Sequence, residues 1–134
     1  MITCDSQSPD FAMRISDGVH AALSDTTADH GGSATGFRPH DLLEAALGSC
    51  IGIIVRMFAK RHAIPLESVA VTVSLNRDNP EEALFEYALE LRGDLTQGQR
   101  AKLHRAAKSC PVHKTLSRTI VIRAKEEQGA LHCV

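Results

Sequence analysis

Apolar residues recur at three- and four-residue spacing between Pro39 and Ala63. Leu43, Leu47, Cys50, Ile51, Ile54 and Phe58 mark one face of a helix. Pro39 suits the first turn, where its missing N–H costs nothing. The run is apolar nearly all round, which predicts a buried central helix over 39–63. Glu44 and Arg56 interrupt it, so it does not read as a membrane span of roughly 20 apolar residues. Ala45, Ala46, Gly48, Ser49 and Gly52 crowd around Cys50. A glycine inside a helix costs about 1 kcal/mol against alanine. Two beside one cysteine imply a close approach to the backbone, by another helix or by a small substrate.

On either side of this helix the period changes to two. Phe11–Ser16 and Val19–Leu23 flank Asp17-Gly18, a hairpin signal, and Met1–Cys4 can add a short strand, giving N-terminal strands within 1–24. Residues 25–38 form a glycine-rich loop whose spacing fits neither a dinucleotide nor a phosphate loop. Val69, Val71, Val73 and Leu75 alternate with small polar residues, and Phe85, Tyr87, Leu89 and Leu91 do the same after an Asn76–Pro80 turn. The short link makes these two strands antiparallel neighbours. Thr96 is a plausible N-cap for a helix over Gln97–Ser109. Cys110-Pro111 breaks it, a short helix runs over Val112–Arg118, and Thr119–Arg123 reads as a last strand. The tail, 125–134, is polar and expected to fray. The order predicts one α+β domain over 1–134, with strands and C-terminal helices filling 68–124 and no internal repeat.

Composition narrows the function. The chain has 134 residues, enough for one core, and a net charge of −1, without the basic excess of a nucleic-acid binder. The absence of tryptophan and the single tyrosine, Tyr87, leave little aromatic surface for stacking on bases or sugars. The first residues carry no basic stretch followed by an apolar run. That makes the cytoplasm, where thiols stay reduced, the expected location. Cys4, Cys50, Cys110 and Cys133 are too scattered for a disulfide framework.

Cys50 and Cys110 are the candidate reactive pair, although any single cysteine is most often a small buried hydrophobe. Cys50 lies mid-helix and needs a nearby cation to ionise. Cys110 stands at a helix start, with His113 and Lys114 in the following turn. A thiolate attacking an oxidant, with a second thiol resolving the sulfenic acid, is ordinary redox chemistry. Two alternatives stay open. Cys110-x-x-His113 is half of a zinc spacing. A cysteine–histidine hydrolase is the other, although the chain shows neither a glycine-rich nucleophile turn nor a recognisable order of partners. Cys4 and Cys133, near the ends, read as incidental, and His20, His30, His104 and His132 as surface residues.

Leu42-Leu43-Glu44-Ala45-Ala46-Leu47-Gly48-Ser49-Cys50 and Cys110-Pro111-Val112-His113-Lys114-Thr115-Leu116, in this order and at this separation, resemble the OsmC/Ohr family of osmotically inducible and organic hydroperoxide resistance proteins. The likeness covers about Pro39 to Arg123. It implies an OsmC-like α+β fold, antiparallel sheets around a long central helix, in an intertwined homodimer with sites at the interface. It also implies a thiol peroxidase for organic hydroperoxides or hydrogen peroxide, used in oxidative or osmotic stress and needing no cofactor or metal. Cys50 matches the peroxidatic cysteine and Cys110 the one that resolves it as a disulfide, which a dithiol such as a lipoylated protein reduces. Two positions depart from the pattern. His40, with Asp41 beside it, stands where the hydroperoxide branch has a glutamate, and its N-terminal arginine is matched only by the candidates Arg38 and Arg14. Arg38 with Asp41 or Glu44 is therefore expected to polarise the Cys50 site. The alternative is a small-molecule-binding or structural protein of the same fold.

Overall fold

The computed structural model describes residues 1–125. The 23-residue helix α1, Pro39–Arg61, is its axis. Its start is closed reciprocally: Asp41 accepts from the Arg38 N–H at 3.0 Å and from its guanidinium at 2.7 Å. Lys60 and Arg61 in the last turn complement the negative helix end. β4 (Ser68–Asn76) and β5 (Leu84–Arg92) form an antiparallel pair in which Val71 faces Leu89 and Val73 faces Tyr87. Their alternation turns Val69, Val71, Val73, Phe85, Tyr87 and Leu89 toward the core.

α1 lies across this sheet, and the glycines beside Cys50 make the contact close. A Cβ on Gly48 would stand 3.1 Å from Val73 Cγ2, and one on Gly52 would stand 3.6 Å from Val71 Cγ2. The close approach expected there comes from β4. Helix α2 (Gln97–Ala107) packs on α1 through Leu103 and Ala107, both fully buried. Its N-cap is Thr96, whose Oγ1 accepts from the Gln99 N–H while the Gln99 side chain accepts from the Thr96 N–H. That capping box explains the sharp start. α2 ends two residues before the expected Ser109. α3 follows at Pro111–Leu116.

The N-terminal strands form a sheet of their own: β1 (Thr3–Ser6), β2 (Met13–Ser16) and β3 (Ala21–Ser24), all antiparallel. Asp17 closes the β2–β3 loop by accepting from the Val19 and His20 N–H groups at 2.8 and 2.6 Å. The following loop is built around Asp25. Its carboxylate accepts from the Thr26, Ser33 and Thr35 N–H groups and from the Thr35 hydroxyl, which holds it below the usual carboxylate range.

Two expectations are corrected. Thr119–Arg123 forms no strand: it alternates properly, but a strand is held by a ladder and, among the described residues, no edge pairs with it. Ile120, Val121 and Ile122 are left 58%, 71% and 92% exposed. Nor is α1 buried on all sides. Leu47, Ile51, Val55 and Ala59 are buried on one face, whereas Leu43, Ile53 and Met57 remain exposed. The helix has the length and composition of a membrane span, yet only 28% of its most apolar stretch is buried within the chain. Of the expected 125–134 tail, Lys125 carries no regular structure. Cys133 and His132 lie outside the described residues.

Candidate active site

Cys50 and Cys110 meet although sixty residues separate them. α1 carries Cys50 beside the buried Ile51. Three features of the chain hold Cys110 against it: the Leu103–Ala107 anchor of α2, the halt at Ser109, and Pro111 in the first turn of α3. The two thiols stand near enough for Cys50 to perturb Cys110. Cys110 is fully buried and belongs to the core cluster, while Cys50 is half-buried and packs on its edge.

Their environments differ in kind. Burial pushes the Cys110 thiol up, and the neighbouring Cys50 adds to this. The His113 N–H works the other way, donating to Cys110 Sγ at 3.4 Å as α3 is capped by the sulfur. At neutral pH, Cys110 is therefore a protonated thiol held in place, and Cys50 is the sulfur that solvent reaches.

The charged residues expected at this site stand elsewhere in the chain. Arg38 is tied to Asp41 at the N-terminus of α1. By the rise of a helix, Arg38 is about 18 Å along the axis from Cys50. Asp41, nine residues before the cysteine, is turned about 180° to the far side. Glu44 lines a different cleft with Gly48, Ser49, Val71 and Val73. Arg14 is exposed on β2, in a sheet that makes no substantial contact with α1. The single chain thus brings the two sulfurs together but does not bring Arg38, Asp41, Glu44 or Arg14 to them.

A cavity of about 300 Å³ is lined by Leu47, Ala83, Leu84, Phe85, His113, Leu116 and Ser117, and neither cysteine is in the lining. Leu47 is one helical turn before Cys50, and His113 caps onto Cys110. The sequence marked His113 only as half of a metal spacing. Among the described residues no three His, Cys, Asp or Glu side chains converge to hold a metal. The largest cleft, about 580 Å³ at the β4–β5 turn around Arg77 and Asp78, contains neither cysteine.

The OsmC-like protein family model matches residues 30–125, which include both thiols and every element that positions them. The chain belongs to the OsmC-like family. Solved structures agree on the fold. The OsmC-like protein from Mycoplasma pneumoniae is 21% identical, with 87% of this chain and 85% of that one covered and a TM-score of 0.74. A putative osmotic stress induced and detoxification response protein from Psychrobacter arcticus is 20% identical over 85% of each chain, with a TM-score of 0.72. The organic hydroperoxide resistance protein OhrB of Bacillus subtilis is 25% identical over 86% of this chain and 87% of its own, with a TM-score of 0.59. No curated protein matches. The expected OsmC-like α+β fold and family are therefore correct.

Proposed function

We propose that this OsmC-like protein is a two-cysteine hydroperoxide reductase. Cys50 attacks the peroxide oxygen, becomes a sulfenic acid, and is resolved by Cys110 as a disulfide that a dithiol, such as a lipoylated protein, reduces. The observation that carries the reading is one half-buried and one fully buried thiol near enough to perturb each other. The outer sulfur is placed to meet an oxidant, and the inner one is already within reach of the product. Solved relatives named for organic hydroperoxide resistance support an organic hydroperoxide as substrate, with stress defence in the cytoplasm as the setting.

The working unit of this proposal is a homodimer. Leu43, Ala46, Ile53 and Met57 line one side of α1 at the three- and four-residue steps, taken through position 50, of a helix seam. The stripe is uncovered in one chain and is self-complementary about a two-fold axis. Cys4, Met13, Ile15 and Ala22 share one sheet face, and Ile120–Ile122 alternate without a ladder. A second copy covers all three.

Titration of reduced protein with cumene hydroperoxide and with hydrogen peroxide, followed by disulfide mapping, tests the chemistry. A rapid Cys50–Cys110 link, lost in Cys50→Ser, is expected. Thiols that survive excess peroxide would favour the reading as a binding protein, which the absence of a same-chain cation beside Cys50 otherwise recommends.

A further inference from the structure

Closing the disulfide poses a proton problem that the two sulfurs cannot solve alone. Cys110 must lose its S–H proton as it attacks Cys50, and hydroxide must leave Cys50 as water. Both events occur at the edge of an apolar core, and Cys110 is held there as a protonated thiol. A base is needed that sits next to the buried sulfur yet communicates with solvent.

We propose that the His113 imidazole is that base, an inference that rests on the peroxidase reading above. His113 is the third residue of the helix that Cys110 caps, and its own N–H touches Cys110 Sγ at 3.4 Å. A side chain at this position can reach back to the cap, as the capping-box geometry shows. The imidazole is half-buried and lines the 300 Å³ cavity against Leu47, one turn from Cys50. From α1 that cavity presents Leu47, from the start of β5 Ala83, Leu84 and Phe85, and from α3 Leu116 and Ser117. None of these titrates. The nearest charged side chains in sequence, Lys114 on α3 and Glu44 on α1, are not in the lining. Among the described residues, no ion pair or side-chain hydrogen bond occupies the His113 ring. Transfer directly or through one water meets the reach required of a general base.

The step balances without an external reagent. The Cys110 S–H bond breaks and its proton passes to His113. The sulfur's electron pair forms the S–S bond to Cys50, and the Cys50 S–O bond breaks. Hydroxide departs with the proton that His113 returns. Cys110 is oxidised, the sulfenic sulfur is reduced, and one water is released. When a dithiol later opens the disulfide, the same imidazole reprotonates Cys110.

The test uses the full chain, reduced and then mixed with one equivalent of cumene hydroperoxide. Sulfenic acid is captured with dimedone and the disulfide is read by mass spectrometry between pH 5 and 9. In wild type, resolution should rise as pH is raised across this range. His113→Gln keeps the N–H that caps Cys110. It should slow resolution by about tenfold or more, let sulfenic acid accumulate, and move the rise to higher pH. In His113→Ala, added imidazole should enter the vacated space and restore the rate. A wild-type rate independent of pH up to 8, or a His113→Gln protein that resolves at the wild-type rate with the wild-type profile, overturns the assignment to His113. Wild-type protein in which Cys50 never yields sulfenic acid overturns the peroxidase reading along with it.

Discussion

The two sheets of this protein are built alike and covered differently. β4 and β5 alternate apolar and polar residues, and their apolar row lies on α1. In β1–β3 the register puts Cys4, Met13, Ile15 and Ala22 on one side, with Ser6 and Ser24, and Thr3, Asp5, Arg14 and Ser16 on the other, with Ala21 and Leu23. Among the described residues no helix makes substantial contact with that sheet. A small sheet needs a covered face to be stable by itself. The contrast teaches that alternation announces a buried face without saying whose surface buries it. In one half of the molecule the cover is the chain's own helix; in the other, the homodimer proposed above would supply it.

Truncating the covered half should do the most damage. Ile51 is fully buried between α1 and its neighbours, so Ile51→Ala should cost about 2–5 kcal/mol, read by urea unfolding. Ile15→Asp, in the uncovered half, should leave the α1–β4–β5 core folded by circular dichroism. Under the homodimer proposed above, its effect should appear in sedimentation as a shift from dimer to monomer. If Ile15→Asp unfolds a wild-type monomer as severely as Ile51→Ala, the two halves are not independent and the contrast is broken.

Smaller changes sharpen the contrast at the helix–sheet seam. Gly48 has Val73 against it, so Gly48→Leu should cost about 1–3 kcal/mol through overpacking. Gly52 has ordinary room toward Val71, so Gly52→Ala should raise stability by up to about 1 kcal/mol through helix propensity. The two glycines, four residues apart, are thereby separated by thermal melts into one required by packing and one that is not.

The smallest effect is local to the uncovered half. The His20 N–H, with the His20 ring and the Val19 N–H, holds the Asp17 carboxyl down to about 2. A depressed carboxyl contributes stability that is fully present above the unfolded value, near 4, and is lost as pH falls through the folded value. Exchange of the Val19 and His20 amides should therefore quicken between pH 4 and 2, with no matching change at Ile51. Equal protection at both pH values would show that the turn does not depend on this charge.

Much of the fold was legible because its cues are local. The Leu43-to-Phe58 spacing, Pro39 and Pro111 as first-turn residues, Thr96 as a cap and the Val69-to-Leu91 alternation each act within a few residues, and each element appeared within two or three residues of its expected bounds. The strand at Thr119–Arg123 misled because its alternation is genuine while its ladder is not supplied by this chain. The site was half legible. The two cysteine motifs named the sulfurs, but charges near them in sequence proved poor guides. A helix rotates each residue by about 100°, so Asp41 and Glu44 point away from Cys50 and Arg38 satisfies Asp41 instead. His113 went unvalued because its neighbours Leu47 and Phe85 come from distant stretches.

By itself, the sequence determined the helix and strand types, the family, and the pair of cysteines, because short-range periodicity, caps and motifs need only neighbours along the chain. Tertiary structure alone decided that Cys110 is sealed while Cys50 meets solvent, that the two sulfurs come near each other, and that one apolar face is covered while another is not. Those outcomes depend on surfaces brought together across sixty residues, and burial and contact, unlike periodicity, are not properties of any one segment.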